Sequence, residues 1–281
     1  MIGLLTALTA ALGYGISDFV GGIASRRVAA LRVVLISYPV ALVLLTGLAV
    51  AVGGQLTGPA VGWGMLAGAS QALGVWWFYA ALGAGPISVV SPLTAVLVAA
   101  VPLSVGVVLG ERPSLLAGAG MLVALVAVAL VSREVNDDDA RRRRFTVMVA
   151  WLTVGSGVAF GMNVVLLDQV PVEAKLWPLV LGRLAATAIV VSVAVATANF
   201  VLERGIPLRL ALLAGVLDTV ANVATLLALQ SSMLSLAGVL IALYPAATVV
   251  LAIAVLRERV SRWQAIGMVL ALASVAMIAA G

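Results

Sequence analysis

The 281-residue chain contains no cysteine and no histidine, and only 10% of its residues are charged. The absence of these two residue types excludes disulfides, thiolate chemistry, histidine-ligated metals and imidazole acid–base catalysis. Catalysis would have to rest on the 11 carboxylates, and most of these lie between apolar segments. We therefore expect no catalytic residues, no metal and no cofactor.

Apolar residues are what the chain has in excess, at 64% of the total. A soluble domain is closer to about one half apolar and one quarter charged. The apolar residues fall in runs of about twenty, the length at which a helix crosses the ~30 Å hydrocarbon core of a bilayer. The alternating ~10-residue strands of a membrane barrel are missing. The composition therefore predicts an all-α membrane protein.

Apolar runs between glycine- and proline-containing breaks predict about ten transmembrane helices. These spans are 3–24, 31–52, 60–82, 88–109, 114–131, 147–168, 177–198, 208–229, 234–256 and 262–280. We interpret the first as a retained span rather than a cleaved signal peptide, because no basic residue precedes it and Asp18 interrupts it.

The second half of the chain repeats the first. Residues 66–134 align with residues 213–281 without a gap, at an offset of 147, with 21 identities in 69 positions. The less common residues carry the match, since Glu111 and Arg112 align with Glu258 and Arg259. The sequence thus predicts one five-helix repeat at 1–134, a charged linker at 135–146 and a second repeat at 147–281.

Five spans in each copy mean that the second copy enters the membrane in the opposite sense. Inverted-topology repeats are typical of transporters, because two equivalent halves can exchange conformations around a shared central site. A duplicated scaffold without transport activity is the alternative. Of the 16 Lys and Arg residues, thirteen lie on one side of the membrane, two on the other, and Arg183 lies within a span. Because basic residues are concentrated on the cytoplasmic side, this count favours both termini outside the cell.

Three features together resemble a known family: the repeat, the Glu–Arg pair after spans 4 and 9, and an arginine heading spans 2 and 7, Arg32 and Arg183. They resemble the drug/metabolite transporter superfamily, and within it the ten-helix EamA-type carriers. The resemblance implies a metabolite or drug carrier, often an exporter, with a cavity lined by spans 1, 3, 4, 6, 8 and 9. It also implies that both termini lie in the cytoplasm, opposite to the arginine count.

Three ionisable residues lie well inside predicted spans: Asp18, Arg183 and Asp218. Each would cost about 2.5–3.5 kcal/mol facing lipid, so we expect them to face the protein interior. Asp218 aligns with Gln71 in the repeat, and Asn222 follows it by one helical turn. Asp218 and Asp18 are candidates for proton coupling or for binding a cationic group. A purely structural Arg183–Asp218 ion pair is the alternative.

Other polar and aromatic residues within the spans complete a predicted substrate-binding set. Its members are Tyr14, Asp18, Gln71, Trp77, Ser91, Asn163, Asp218, Asn222 and Tyr244. Two have simple structural alternatives, because Trp77 could belong to an interfacial aromatic belt and Asn163 could form an interhelical hydrogen bond.

These features predict a secondary transporter that moves a small organic metabolite or drug across the cell inner (plasma) membrane. It would act as an exporter, driven either by a proton gradient or by the solute's own gradient. No GxxxxGK[ST] motif for ATP hydrolysis occurs. The expected partners are the small-molecule substrate and the bilayer, without nucleic acid, and a homodimer is left open. The alternatives are a structural membrane subunit and a lipid-linked transferase using Asp137–Asp139.

Overall fold

The computed structural model describes residues 1–25, 27–84, 87–131, 146–201, 203–256 and 261–281, and in these ranges the secondary structure is helical. The described part of the chain contains eleven α-helices. They are α1 Ile2–Ser25, α2 Ala30–Val52, α3 Gly58–Ala84, α4 Ile87–Val108, α5 Leu115–Val131, α6 Val147–Asp168, α7 Trp177–Ala196, α8 Ile206–Ser231, α9 Leu234–Ile241, α10 Tyr244–Leu256 and α11 Arg262–Ala280. One 3₁₀ turn, Val172–Ala174, precedes α7.

The outer surface of the helix bundle is apolar. Leu5, Trp151 and Leu272 are 60%, 73% and 75% exposed, respectively. Seven segments of the described chain are long and apolar enough to cross a membrane, and two shorter apolar helices accompany them. Such a surface suits lipid rather than water. The all-α, multi-span prediction is confirmed.

Span 9 differs from its prediction as one continuous helix over 234–256. The structure divides it into α9 and α10, with a turn at Ala242 and Leu243. Pro245 stands in the first turn of α10, where its missing N–H would have no helical partner in any case. The proline therefore marks the start of a new helix, and the helical conformation is interrupted from Ala242, three residues before the proline.

Local sequence signals set several helix ends. Ser261 and Gln264 form a reciprocal capping box at the start of α11, with N···O distances of 3.1 and 3.2 Å. Thr146 caps α6 by accepting a hydrogen bond from the Val149 N–H at 3.3 Å. Gly53 ends α2 with a φ of +74°, a conformation that favours glycine. These ends agree closely with the predicted span boundaries.

A carboxylate from the first repeat caps a helix in the second. Glu111 follows α4, and its two oxygens accept hydrogen bonds from the N–H groups of Leu234 and Ser235 at 2.6 and 2.9 Å. These N–H groups begin α9, where the helix dipole favours negative charge. Glu111 therefore caps α9, and the contact joins the two halves.

We expect Glu111→Ala to lower the free energy of unfolding by about 1.5–3 kcal/mol, the range for hydrogen bonds to a charged group. The reason is that two N–H groups at the start of α9 lose their acceptor. Thermal unfolding of the purified protein in detergent measures the change. The neighbouring Arg112→Ala is the control, because Arg112 is exposed. Equal unfolding temperatures for the two variants would contradict this capping role.

The helices pack with an approximate two-fold relation between the repeats. Helix α1 packs along α8, and their repeat mates α6 and α3 pack along each other. Helix α4 packs on α6, while the α9–α10 span packs on α1. The mates α5 and α11 contact each other directly. Exchanging the two copies maps this set of contacts onto itself, as expected for two inverted five-helix repeats.

Some predictions lie outside the described residues. Residues 135–145 of the charged linker, with the Asp137–Asp139 run, and Glu258 fall in this group. The side chain of Ser91 in α4 is likewise not among the described ones.

Candidate functional site

An ion pair lies in the interior between α7 and α8. Nη2 of Arg183 donates a hydrogen bond to Oδ2 of Asp218. The side chains of Arg183 and Asp218 are only 3% and 17% exposed, respectively. A buried charge is strongly unfavourable without a partner, so each residue depends on the other. The sequence-based expectation that both residues face the interior holds.

Arg183 has more hydrogen-bonding capacity than Asp218 uses. Its Nη1 atom is buried and has no hydrogen-bond partner. The ring of Tyr38 on α2 lies beneath the guanidinium, with 4.4 Å between Cζ and the ring centroid, a cation–π arrangement. Sequence analysis missed Tyr38. A tyrosine in the middle of an apolar span, directly before Pro39, was the available signal.

A small polar cavity adjoins the ion pair. Four helices each contribute one polar residue to its wall: Gln71 from α3, Asn163 from α6, Arg183 from α7 and Asn222 from α8. The space open to the centre of a water molecule is about 20 Å³. That volume holds about one water, so in this conformation the cavity is closed to an organic solute by its size.

The amide groups in the cavity wall are used to different extents. Nδ2 of Asn163 donates to the carbonyl of Ala67 at 2.8 Å, and Nδ2 of Asn222 donates to the carbonyl of Asp218 at 2.7 Å. Gln71 has no hydrogen-bond partner for its side chain among the described residues. Asn163 thus makes the interhelical bond considered in the sequence analysis and also lines the cavity.

Glycines allow α3 and α7 to approach closely beside the cavity. A Cβ on Gly68 would lie 1.9 Å from the carbonyl oxygen of Gly182, and a Cβ on Gly64 would lie 2.7 Å from that of Pro178. Gly68 and Gly182 both line the cavity. Only glycine fits at this contact, since the opposing atoms belong to the backbone.

An aromatic cluster lies between α1, α8 and α10. Tyr14 and Tyr244 meet edge to face, with ring centroids 6.4 Å apart and an interplanar angle of 67°. The hydroxyls of Tyr14 and Thr225 are 3.5 Å apart. Asp218, Asn222 and Thr225 share one face of α8, so this face joins the ion pair and the cavity to the aromatic cluster.

Asp18 lies one helical turn after Tyr14 on α1. Unlike Arg183 and Asp218, it is exposed, which differs from the expectation that all three residues face the protein interior. Its carboxylate lies within electrostatic range of Asp218 and Tyr244. One turn further along, nothing lies within 4 Å of a Cβ built on Gly22. This face of α1 is therefore open beyond the aromatic cluster.

Trp77 is not part of the cavity wall. Its ring packs against Gly155 of α6, where an added Cβ would lie 2.9 Å from the indole. A polar contact between α4 and α6 lies nearby and was not predicted from the sequence. The hydroxyls of Thr94 and Ser156 are 3.3 Å apart there. Both residues are buried. The structure thus groups Gln71, Asn163 and Asn222 in the cavity wall. Asp218 adjoins them through its ion pair with Arg183, and Tyr14 and Tyr244 lie on the far side of Asp218 along α8.

Ten spans in two inverted repeats around a buried polar site define the class, a polytopic membrane protein of the transporter type. The model of the EamA-like transporter family matches residues 1–133 and again residues 147–280. The chain therefore belongs to the EamA-like transporter family, and each repeat is one copy of the family's unit.

Comparison with solved structures supports the same fold. A chain titled "Crystal structure of protein" is similar with a TM-score of 0.78 and 17% sequence identity. The match covers 98% of the present chain and 95% of the other. At this level of identity the likeness shows the fold alone. Comparison with curated proteins gives no match.

Proposed function

We propose that this protein is a secondary transporter that moves a small organic solute across the cell inner (plasma) membrane by alternating access. The observation that carries the proposal is the buried polar cavity, whose wall combines helices of both repeats. Gln71 comes from the first repeat, and Asn163, Arg183 and Asn222 come from the second. Unpaired polar groups at the centre of an apolar bundle are unfavourable for stability, and binding of a polar solute explains their presence.

The closed cavity sets a requirement on the mechanism. A space for about one water cannot hold a metabolite, so the helices around it must separate before a solute binds. Two inverted repeats provide the means, since either half can adopt the conformation of the other. Membership in a transporter family favours this function over a lipid-linked transferase or a structural subunit.

Export driven by the proton gradient is the form of transport that we propose. Protonation of Asp218 would remove its charge and weaken its bond to Arg183. A proton can bias the two conformations only if this contact differs between them, as a contact between two moving helices can. Asp18 is the second proton carrier, because it is exposed.

The test begins with a resistance screen of cells expressing the protein, which identifies an exported solute. Flux of that solute is then measured in proteoliposomes with and without a pH gradient. We expect the gradient to increase flux about tenfold or more, and Asp18→Asn and the double variant Arg183→Gln/Asp218→Asn to lose most of this increase. Each proton moving through ~60 mV of gradient contributes about 1.4 kcal/mol, which corresponds to a factor of ten.

The control for this experiment is Glu173→Gln, a carboxylate in the exposed 3₁₀ turn. It should keep the full response to the pH gradient. If the double variant and Asp18→Asn both kept the full response of the unchanged chain to the pH gradient, proton coupling through either carboxylate would be contradicted. Absence of solute flux from the purified chain, with any gradient, would contradict the transport function itself.

A further inference from the structure

The hydrogen-bond donors of the cavity are not matched by acceptors. Nη1 of Arg183 is buried without a partner, and the Gln71 side chain has none among the described residues. Asn163 and Asn222 already use their Nδ2 groups on backbone carbonyls. A buried donor without an acceptor destabilises a protein by about 1–3 kcal/mol. The cavity thus has two donors available to a ligand.

We propose that Arg183 and Gln71 form a subsite for the carboxylate group of the transported solute. A guanidinium has five donors in a planar fork and can bind two carboxylates at once. Nη2 donates a hydrogen bond to Asp218, which leaves Nη1 free to donate to the solute. Gln71 lines the same cavity and supplies the second donor. This inference rests on the proposed function, since it names the chemistry of the same site's substrate.

The surroundings of Arg183 favour a ligand that approaches the edge of the guanidinium group rather than its face. The Tyr38 ring covers one face of the guanidinium at 4.4 Å. Arg183 as a whole is 4% exposed, so no bulk water competes for Nη1. Carboxylate oxygens suit this geometry, because charge-assisted hydrogen bonds form in the plane of the guanidinium edge.

The charges of the site select a monoanion. Asp218 already balances the charge of Arg183, and Asp18 adds a second carboxylate within electrostatic range of Asp218. A dianionic phosphate would be repelled by both carboxylates in a medium of low dielectric constant. A cationic group at this position would be repelled by the guanidinium and would leave Nη1 without an acceptor. A carboxylate supplies Nη1 with a charged acceptor and adds one negative charge, whereas a dianion adds two.

The experiment measures ligand-dependent thermal unfolding of the purified full chain in detergent. Four probes of similar shape are used: phenylacetate, phenylacetamide, phenethylamine and phenyl phosphate. We expect saturable stabilisation by phenylacetate and at least tenfold weaker binding of the other three. Equal binding of phenylacetamide, or stronger binding of phenyl phosphate or phenethylamine, would overturn the carboxylate assignment. Stabilisation by none of the four would reduce the cavity to a water site and overturn it too.

Variants assign the binding to the named residues. Arg183→Gln/Asp218→Asn leaves no unpaired buried charge and should weaken phenylacetate binding at least tenfold. Gln71→Ala should weaken it about tenfold, the effect of one hydrogen bond to a charged group. The matched control is Arg32→Gln/Glu203→Gln, which removes the ion pair of the repeat-related arginine. In this pair Nη1 and Oε1 are 2.8 Å apart, and neither residue belongs to the cavity wall. It should bind as the unchanged chain does, and equal weakening in control and test variants would overturn the subsite.

Solute flux separates this inference from the transport function. Phenylacetate binding that depends on Arg183, in a protein that moves no solute, supports the subsite and overturns the proposed function. Proteoliposome flux of an amine or a neutral solute, with no carboxylate binding, supports transport and overturns the subsite.

Discussion

Asp218→Asn is expected to lower the free energy of unfolding by about 3–5 kcal/mol, the cost of removing one partner of a buried ion pair. Arg183 would then carry a charge at 4% exposure without a counter-ion. The double variant Arg183→Gln/Asp218→Asn should recover most of this loss, because neither charge remains. Thermal or detergent-induced unfolding of the purified protein measures both effects.

The control is the ion pair of Arg32, which is the first-repeat counterpart of Arg183. Arg32 pairs with Glu203, where the side chains are 31% and 18% exposed, respectively. Because solvent reaches this pair, Glu203→Gln should lower stability by no more than about 1 kcal/mol. If Asp218→Asn were no more destabilising than Glu203→Gln, the interior pair would not have the role given to it here.

Gly68→Ala is expected to disrupt the packing of α3 against α7. The added methyl group would lie 1.9 Å from the carbonyl oxygen of Gly182, a backbone atom that no side-chain rotation can move. The helices would have to separate beside the polar cavity, with a loss at the upper end of the ~1–3 kcal/mol typical of overpacking. Unfolding temperature and solute flux should both fall.

Gly62→Ala is the matched control on the same helix. Nothing lies within 4 Å of a Cβ built on Gly62. Because alanine is favoured over glycine in a helix by about 0.5–1 kcal/mol, stability should be unchanged or slightly higher. Equal losses in Gly62→Ala and Gly68→Ala would show that helix propensity, rather than the close contact with Gly182, decides the effect.

Much of the fold could be predicted from the sequence, because a bilayer allows few solutions. Apolar runs gave the ends of most spans, and the match of Glu111 and Arg112 with Glu258 and Arg259 revealed the duplication. The ion pair could be anticipated for a similar reason. A charged residue within a span needs a partner of opposite charge, and Arg183 and Asp218 were the obvious partners for each other.

What the sequence could not provide depends on tertiary contacts. The division of span 9 occurs at Ala242 and Leu243, which resemble other apolar residues, and only Pro245 hinted at it. Tyr38 reaches the site because α2 packs against α7 and α8, a relation between helices distant in the chain. Trp77 was grouped with the binding residues as an aromatic side chain within span 3, and only the structure shows that its ring packs against Gly155 of α6.

The two repeats differ in a way that bears on transport. The first repeat has a continuous α4, whereas the matching span of the second is divided into α9 and α10. Tyr244 begins α10 and meets Tyr14 beside the open face of Asp18. In an inverted-repeat transporter, exchange of conformations between the halves would divide α4 and straighten span 9. The division of span 9 thus lies next to the Tyr14–Tyr244 contact, which this exchange would rearrange.

Alternating exposure of the cavity to the two sides of the membrane is the central claim, and thiol labelling tests it most directly. The chain has no cysteine, so Gln71→Cys gives a single reporter in the cavity wall. A small membrane-impermeant thiol reagent is added to cells and, separately, to inverted membrane vesicles, with the 73% exposed, lipid-facing Trp151→Cys as control. We predict modification of Gln71→Cys from both sides and of Trp151→Cys from neither. Modification of Gln71→Cys from one side only, or from neither, would contradict the account.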